Sequence, residues 1–320
     1  MPRHQASSTR ILVTVALGLV SACSGAADDA GARDLDRATT TTTSPTTTTS
    51  QPPTTTAAPA DPTALRPPAP ATDPAALARQ IADAEMTLRE GTAGSLDLAS
   101  ASLAQQVAYR QLGVHPEWDV AVARALPPPL RDVAARHAAA RREFRGMHVT
   151  LATTMPAWRI VSPAPEAALL AAYREAETTF HIPWQYLAAV NLVETGLGRI
   201  EGTSTAGAQG PMQFLPATWD AYGGGGDVHD PHDAIIGAAR YLAANGGATD
   251  LDHALYRYNH SDRYVRGVHL YAALIAEHPR AFVAFYGWGI WYATDRGDLY
   301  LPVGYDEPAP LPVAEYLQRQ

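Results

Sequence analysis

The stretch that decides the fold is an apolar run of eleven residues, Trp184-Gln-Tyr-Leu-Ala-Ala-Val-Asn-Leu-Val-Glu194. Pro183 precedes it and Gly196 follows it, and these are residue types that favour the first and the last turn of a helix. Glu194 continues a stripe of residues at helical spacing, so its carboxyl group leaves the helix on the side that packs inward. The members of this stripe are Trp184, Leu187, Ala188 and Asn191. The sequence therefore predicts a buried helix that ends in an inward-facing acid.

Such an acid has two interpretations. A carboxyl group among apolar neighbours has a raised pKa and keeps its proton near neutral pH, as a general acid must. Alternatively, Glu194 is a solvated residue of the last helical turn. A negative charge is unfavourable at this end of the helix dipole, so its presence there needs a reason. Helix physics alone leaves both interpretations open.

The next seventy residues carry groups that suit a binding groove. Residues 204–219 contain two glycines that allow close backbone approach, together with Met212, Gln213 and Trp219. The segment 230–235 begins with Asp-Pro, which is typical of a helix start, and we expect the helix itself to run from Ile236 to Leu242. Residues 258–265 place polar and aromatic side chains before another helix. Taken singly, each of these features is more typical of a turn or a core aromatic than of a site.

Taken together, four motifs in order resemble the lysozyme-like lytic murein transglycosylases, and most closely the membrane-bound lytic transglycosylase B type. They are Glu-Thr-x-x-Gly-Arg at 194–199, Gly-Ala-x-Gly-x-x-Gln-Phe-x-Pro at 207–216, Asp-Pro-x-Asp-Ala-Ile at 230–235 and Tyr-Asn at 258–259. The resemblance covers residues 160–275, about a third of the chain. It implies a mainly α-helical, lysozyme-like fold and peptidoglycan glycan strands as the substrate.

The resemblance also assigns roles to residues. Glu194 is expected to be the sole catalytic acid and base, and Ser204 to orient its carboxylate. Non-hydrolytic cleavage of the bond between N-acetylmuramic acid (MurNAc) and N-acetylglucosamine (GlcNAc) would then leave 1,6-anhydro-MurNAc ends, in cell-wall remodelling. The residues expected to line the sugar groove are Met212, Gln213, Tyr258, Asn259 and Tyr264.

Two other functions stay open. A hydrolytic muramidase would cleave the same bond with water, and a non-catalytic wall-binding lipoprotein would keep the groove without the chemistry. Most glycosidases flank the scissile bond with two carboxylates. Here the next acid, Glu201, lies beyond the helix-ending Gly196, and this favours the lyase.

The chain is expected to begin with a targeting segment and a tether. Residues 1–23 combine two early arginines, a short apolar run and a lipobox-like Val20-Ser-Ala-Cys23, which predicts a lipoprotein signal peptide. Lipidation of Cys23, the single cysteine, would anchor the protein to the outer face of the cell membrane; an ordinary signal peptide is the alternative. Residues 24–73 are rich in Thr and Pro and are expected to be a disordered linker, with 12 threonines among the 18 residues from Thr39 to Thr56.

A helical segment at 74–150 and a catalytic domain at 151–320 are predicted to follow. Asp73-Pro74 is typical of a helix start, and Pro127–Pro129 of a break before an Arg-rich helix that ends near Gly146. The arginines of that helix are more typical of a solvated face than of a surface for an anionic wall polymer. They are Arg131, Arg136, Arg141, Arg142 and Arg145.

The last forty residues are predicted to contain a β-hairpin. Its strands would be 289–293 and 299–303, joined by Asp295–Asp298. The aromatic residues in and around it could stack on sugar rings, but a small hairpin on a helical domain needs such rings for its own core. Packing is therefore the favoured interpretation.

Charge and ligand chemistry exclude other classes of protein. The net charge is −8, which argues against nucleic-acid binding, and residues 161–320 hold 9 arginines against 18 acids. The loop from Gly223 to Asp230 lacks the alternating oxygen ligands of a calcium loop. His229 and His232 match no common zinc spacing. We therefore expect neither a metal nor another cofactor.

Overall fold

The computed structural model describes residues 65–90, 92–147 and 150–320. The predicted signal peptide, Cys23 and the linker up to residue 64 lie outside the described residues. The described part contains twelve α-helices and three small antiparallel strand pairs, so the prediction of a mainly α-helical fold is confirmed. None of the described helices combines the length and the apolar character needed to cross a membrane.

Four helices precede the predicted catalytic domain. Asp73 caps the first of them by accepting hydrogen bonds from the backbone N–H groups of Ala75 and Ala76, at 2.9 and 2.8 Å. The proline run at 127–129 separates the third helix from the fourth, as predicted. The bounds are α1 (Pro74–Arg89), α2 (Ser95–Val114), a 3₁₀ turn (Pro116–Trp118), α3 (Asp119–Ala125) and α4 (Pro128–Arg145).

A buried acid joins α1 to α2. Glu85 is only 3% exposed and accepts hydrogen bonds from Gln105 Nε2 at 2.9 Å and from the Tyr109 hydroxyl at 2.7 Å. Arg89 donates to the same carboxylate at 2.9 Å and also pairs with Glu277. Burial, reinforced by the charge of Glu85, raises the pKa of Tyr109 well above its usual value, so the phenol stays a donor. This network satisfies a carboxylate that would otherwise be costly to bury.

The main core surrounds one helix. Residues 187–195 of α6 are all buried, and α5, α8 and α10 pack around them. Val133, Ala140 and Phe144 of α4 belong to the same apolar cluster. The bounds of these helices are α5 (Glu166–Phe180), α6 (Trp184–Thr195), α7 (Pro216–Tyr222), α8 (Pro231–Ala244), α9 (Leu251–Tyr258), α10 (Asp262–Glu277) and α11 (Ala281–Tyr286).

Two helix starts differ from the predicted ones. Helix α8 begins at Pro231, five residues before Ile236, because Asp230 accepts a hydrogen bond from the Asp233 N–H at 3.0 Å and caps the additional turn. Helix α10 begins at Asp262 and is capped by Ser261, so Tyr264 lies within its first turn and not before it.

The strands form a small second layer. The predicted hairpin is confirmed, but its turn is only Asp295–Arg296, because Gly297 at φ 103° already begins the second strand. The favoured packing interpretation holds for Tyr292 and Tyr305, which are buried in the second apolar cluster. The bounds are β1 (Thr154–Met155), β2 (Arg159–Ile160), β3 (Ile200–Glu201), β4 (Ile290–Thr294), β5 (Gly297–Leu301) and β6 (Leu311–Pro312), and the helix α12 (Val313–Gln318) follows. The pairs are β1–β6, β2–β3 and β4–β5.

Replacing the buried acid tests the link between α1 and α2. We expect Glu85→Ala to lower the free energy of unfolding by about 3 kcal/mol, because three donors lose their acceptor in a largely dry site. The matched control is Asp132→Ala, which removes a 69% exposed carboxylate from its pair with Arg136 and should cost less than about 0.5 kcal/mol. Urea unfolding measures both; equal losses would contradict the assigned role of Glu85.

Candidate active site

The carboxyl group of Glu194 is enclosed in the last turn of α6. The residue is 0% exposed, so the alternative of a solvated last-turn glutamate is wrong. Three successive residues with positive φ then turn the chain away from the helix axis: Gly196 at 63°, Leu197 at 66° and Gly198 at 84°. The glycine that was predicted to end α6 therefore does so, in the left-handed conformation that glycine adopts without strain.

Tyr264 is a direct partner of this acid. Its hydroxyl donates a hydrogen bond to Glu194 Oε1 at 2.8 Å, and both residues are 0% exposed. The Tyr264 ring lies nearly parallel to the ring of Tyr258, with the planes 6° apart and the centroids 6.5 Å apart. The hydroxyl of Tyr258 in turn donates to the Met212 carbonyl at 2.6 Å. Three motifs that are distant in sequence thus meet at the end of α6.

Thr195 ties the end of α6 to the motif loop at 207–216. Its hydroxyl donates to the Pro211 carbonyl at 2.6 Å and accepts from the Gly198 N–H at 2.9 Å. The residue is 0% exposed. Sequence reasoning gave Thr195 no role, although its place directly after Glu194 in the motif was the available signal. It is a positioning residue for the chain segments on both sides of the acid.

The loop that carries Gln213 is held by its own polar groups. The Ser204 hydroxyl accepts hydrogen bonds from the N–H groups of Ala206 at 3.0 Å and Ala208 at 2.9 Å. Gln213 has a φ of 52°, and its Nε2 donates to the Gly210 carbonyl at 3.0 Å. The Oε1 atom of Gln213 is buried and has no hydrogen-bond partner among the described residues. Ser204 therefore shapes the loop, and its predicted role in orienting Glu194 stays a prediction.

The predicted site residues are brought together to different degrees. Glu194, Tyr264, Tyr258 and the backbone of Met212 form one connected chain of contacts. Gln213 and Met212 lie in the motif loop and are 2% and 0% exposed, and Ser204, just before that loop, is 7% exposed. Asn259, the residue after α9, is half-buried in extended backbone conformation. Among these residues, Asn259 is the one with the most accessible surface.

The next acid along the chain has a different partner. Glu201 lies on β3 and forms an ion pair with Arg159 of β2, and its side chain is 47% exposed. Glu194, by contrast, is wholly enclosed. Glu201 is therefore engaged in a surface ion pair, apart from the enclosed carboxyl group of Glu194.

Within the described part of the chain, one group of side chains has ligand atoms close enough for a metal ion. Asp230, His232 and Asp233 offer atoms within 4.8 Å of one another, at the start of α8. These atoms already have partners: Asp230 caps α8, and the ring nitrogens of His232 contact Glu175 at 3.0 Å and Asp233 at 3.2 Å. These two contacts, Glu175 first, raise the pKa of His232. The group acts as a surface charge network around a helix start.

Comparison with known proteins finds a family model that matches the region of the site. Residues 171–271 match the family model of the Transglycosylase SLT domain, a range that begins within α5 and ends within α10. It includes Glu194, the motif loop and Tyr264. No curated protein and no solved structure gives a significant match. The chain thus contains a lysozyme-like domain of SLT type, which supports lytic transglycosylase-type activity on peptidoglycan in general.

Two glycines of the motif loop permit a test with a built-in control. Gly207 and Gly210 have φ values of 81° and 71°, but a Cβ at Gly210 would lie 1.8 Å from the Val228 carbonyl oxygen, whereas one at Gly207 meets nothing within 4 Å. We expect Gly207→Ala to cost about 1 to 2 kcal/mol of backbone strain. Gly210→Ala should cost clearly more, because the loop must also move away from Val228. Urea unfolding of both variants measures the difference, and equal costs would contradict the close approach of the backbone at Gly210.

Proposed function

We propose that this protein is a peptidoglycan lytic transglycosylase that cleaves the MurNAc-β-1,4-GlcNAc bond without water and leaves 1,6-anhydro-MurNAc ends, in cell-wall remodelling. The observation that carries the proposal is the enclosed carboxyl group of Glu194, bound by the Tyr264 hydroxyl inside the region that matches the SLT family model. The expected substrate groove contains Ser204, Gln213 and Asn259 beside these residues. Peptidoglycan glycan strands are thus the proposed partner.

The chemistry needs one acid that acts twice. In the proposed mechanism Glu194 enters the reaction protonated, which is the form that burial of a carboxyl group favours. It donates this proton to the glycosidic oxygen as the bond between that oxygen and C1 of the muramic acid breaks. The N-acetyl carbonyl of the substrate meets the positive charge that develops at C1. The resulting carboxylate takes the proton from the muramic 6-hydroxyl, whose oxygen forms the new bond to C1.

The Tyr264 hydroxyl suits both steps. It donates to one carboxyl oxygen, Oε1, at 2.8 Å, and so fixes the orientation of the group while the other oxygen exchanges the proton. A hydrogen bond donated to a carboxylate strengthens when the carboxylate is charged. Tyr264 therefore stabilises the intermediate state in which Glu194 has given up its proton.

The single enclosed acid favours the lyase over a hydrolase. Hydrolytic glycosidases use two carboxyl groups, and an inverting enzyme needs room for water between them. Glu201 is engaged with Arg159 at the surface. A wall-binding protein without chemistry is disfavoured as well, because burying an acid destabilises the fold and contributes nothing to such a role.

The proposal includes a location. The SLT region implies action on the cell wall. The lipobox-like end of residues 1–23 supports export and lipid anchoring at Cys23, and the linker at 24–73 would let the catalytic domain at 151–320 reach the wall. Globomycin treatment of producing cells, followed by a mobility shift of the protein, tests the anchor directly.

Removing the acid tests the assignment of the catalytic residue. Glu194→Gln should lower the rate of peptidoglycan cleavage by about 10²- to 10⁴-fold, because the amide cannot donate and retrieve the proton. Glu201→Gln is the matched control and should cleave at the rate of the unaltered protein. Release of soluble fragments from purified peptidoglycan measures both rates. A Glu194→Gln protein with full activity would remove Glu194 from the mechanism.

The products decide between lyase and hydrolase. Digestion of purified peptidoglycan should give fragments that end in 1,6-anhydro-MurNAc, which are lighter by one water than reducing ends. Mass spectrometry of the fragments separates the two. Reducing ends without anhydro ends would identify a muramidase, and water labelled with ¹⁸O would then be incorporated at C1.

A further inference from the structure

A small cavity lies beside the end of α6, outside the site described above. It has a volume of about 60 Å³ and is enclosed by α2, α4, α6, α10 and the start of β4. Val193 of α6 and Gly196, which follows the end of α6, line it on either side of Glu194 in the sequence. Because a water molecule takes up about 30 Å³ in the liquid, the cavity suits a group of a few atoms.

The walls of the cavity carry more positive than negative charge. Arg110 and Arg141 line it, and Arg145 lies one turn further along α4. Asp298 pairs with both Arg110 and Arg145. Arg141 has no ion pair or hydrogen bond with any described residue. Burial, and next the charge of Arg141, lower the pKa of Arg110 to about 9, as expected where cations are crowded away from water.

A buried hydroxyl without a partner lines the same cavity. Tyr271 is 3% exposed, and its hydroxyl oxygen has no hydrogen-bond partner among the described residues. Buried polar groups normally have a partner, so the Tyr271 hydroxyl can donate a hydrogen bond to a group that enters the cavity. Tyr271 follows Tyr264 by seven residues on α10. The two tyrosines therefore share one face of the helix, about 10 Å apart along its axis.

The cavity is rigidly built. Arg110 stacks on the ring of Trp291, with its guanidinium carbon 4.6 Å from the ring centroid. Gln106 Oε1 accepts hydrogen bonds from the Gly289 N–H at 3.0 Å and from Trp291 Nε1 at 3.2 Å. Arg141 and Trp291 are half-buried, so the cavity is reached from solvent on their side. Arg110, Gln106 and Trp291 thus form a fixed wall beside Arg141 and Tyr271.

We propose that this cavity binds a carboxylate of the peptide stem carried by the muramic acid of the substrate, with Arg141 and the Tyr271 hydroxyl as the donors. The proposal rests on the proposed function and extends its substrate to stem-bearing glycan strands. A guanidinium matches a carboxylate in geometry and can bind it through two parallel hydrogen bonds. Tyr271 lies about 10 Å along α10 from Tyr264, whose hydroxyl contacts Glu194, so the cavity lies near the proposed catalytic acid.

The position of these arginines argues against a general charge effect. Two other arginines of α4 are engaged away from the cavity: Arg136 pairs with Asp132, and Arg142 with Asp119. Arg141 lies between Arg136 and Arg142 in the sequence. It lines the cavity and forms no ion pair with a described acid. The guanidinium of Arg141 is therefore a positive charge of α4 that lines the cavity and pairs with no described acid.

The kinetic experiment compares two substrates that differ only in charge. The full chain is assayed on glycan strands with free stem carboxylates and on the same strands with those carboxylates converted to amides. For the unaltered protein we expect kcat/KM to be about tenfold higher on the charged substrate, as one charge-assisted hydrogen bond predicts. Arg141→Gln should abolish this ratio through KM, Arg141→Lys should restore part of it, and Arg136→Gln should keep it. A ratio of one in the unaltered protein, or an unchanged ratio in Arg141→Gln, overturns the proposal.

A binding experiment separates this proposal from the proposed function. In a Glu194→Gln background, calorimetry with a soluble disaccharide-tetrapeptide measures affinity without turnover. Arg141→Gln and Tyr271→Phe should each raise Kd at least about fivefold, and Arg136→Gln should leave Kd unchanged, with thermal unfolding as the check on folding. If the unaltered protein cleaves no substrate but binds the stem through Arg141, the proposed function fails and the carboxylate site stands. If the unaltered protein cleaves its substrate but neither Arg141→Gln nor Tyr271→Phe changes Kd, the proposed function stands and the carboxylate site fails.

Discussion

A carboxyl group that is fully enclosed must be satisfied by hydrogen bonds, and the placement of Glu194 imposes this constraint on the rest of the site. The Tyr264 hydroxyl meets it from the first turn of α10, so α6 and α10 must pack with these two ends in register. The left-handed turn at Gly196 ends α6 two residues after the acid and directs the chain away from the helix axis. A single buried group thereby fixes the relation between two helices and the loop that follows one of them.

Two further hydroxyl groups hold the site together by donating hydrogen bonds to backbone carbonyls of the motif loop. Thr195 bonds to Pro211, and Tyr258 bonds to Met212, so two neighbouring carbonyls of the motif loop are held from two different helices. A loop fixed at adjacent residues has little freedom to shift relative to Glu194. The order of motifs in the sequence therefore reflects contacts in space: the acid, its loop and its aromatic partner are parts of one hydrogen-bonded unit.

Residue types close together in the sequence predicted many helix ends and turns of this structure. The remaining features depend on contacts between residues that are distant in the sequence. The ends of α6, the Asp73 cap and the hairpin follow from residue types within one turn of their place in the chain. The predicted start of α8 was wrong because an Asp-Pro cap can add a helical turn before the apolar stripe begins. The contacts of Thr195 could not be read from the motif, because its hydroxyl bonds to Pro211, sixteen residues away in the sequence. Motif resemblance identified Glu194, but only the fold shows that its carboxyl group is enclosed.

The distribution of charge differs between the N-terminal helices and the rest of the described residues. Residues 161–320 are acidic, with 9 arginines against 18 acids, and this balance opposes the approach of an anionic polymer. The arginines at the cavity come from α2 and α4, and α4 also contributes Phe144 to the core around α6. Because α4 packs on α10 beside the two tyrosines, its charge acts at short range, where it can bind one group without reversing the field of the whole domain. Under the proposed carboxylate site, the cationic groups that bind the substrate would come from helices outside the SLT match, while residues 161–320 stay acidic.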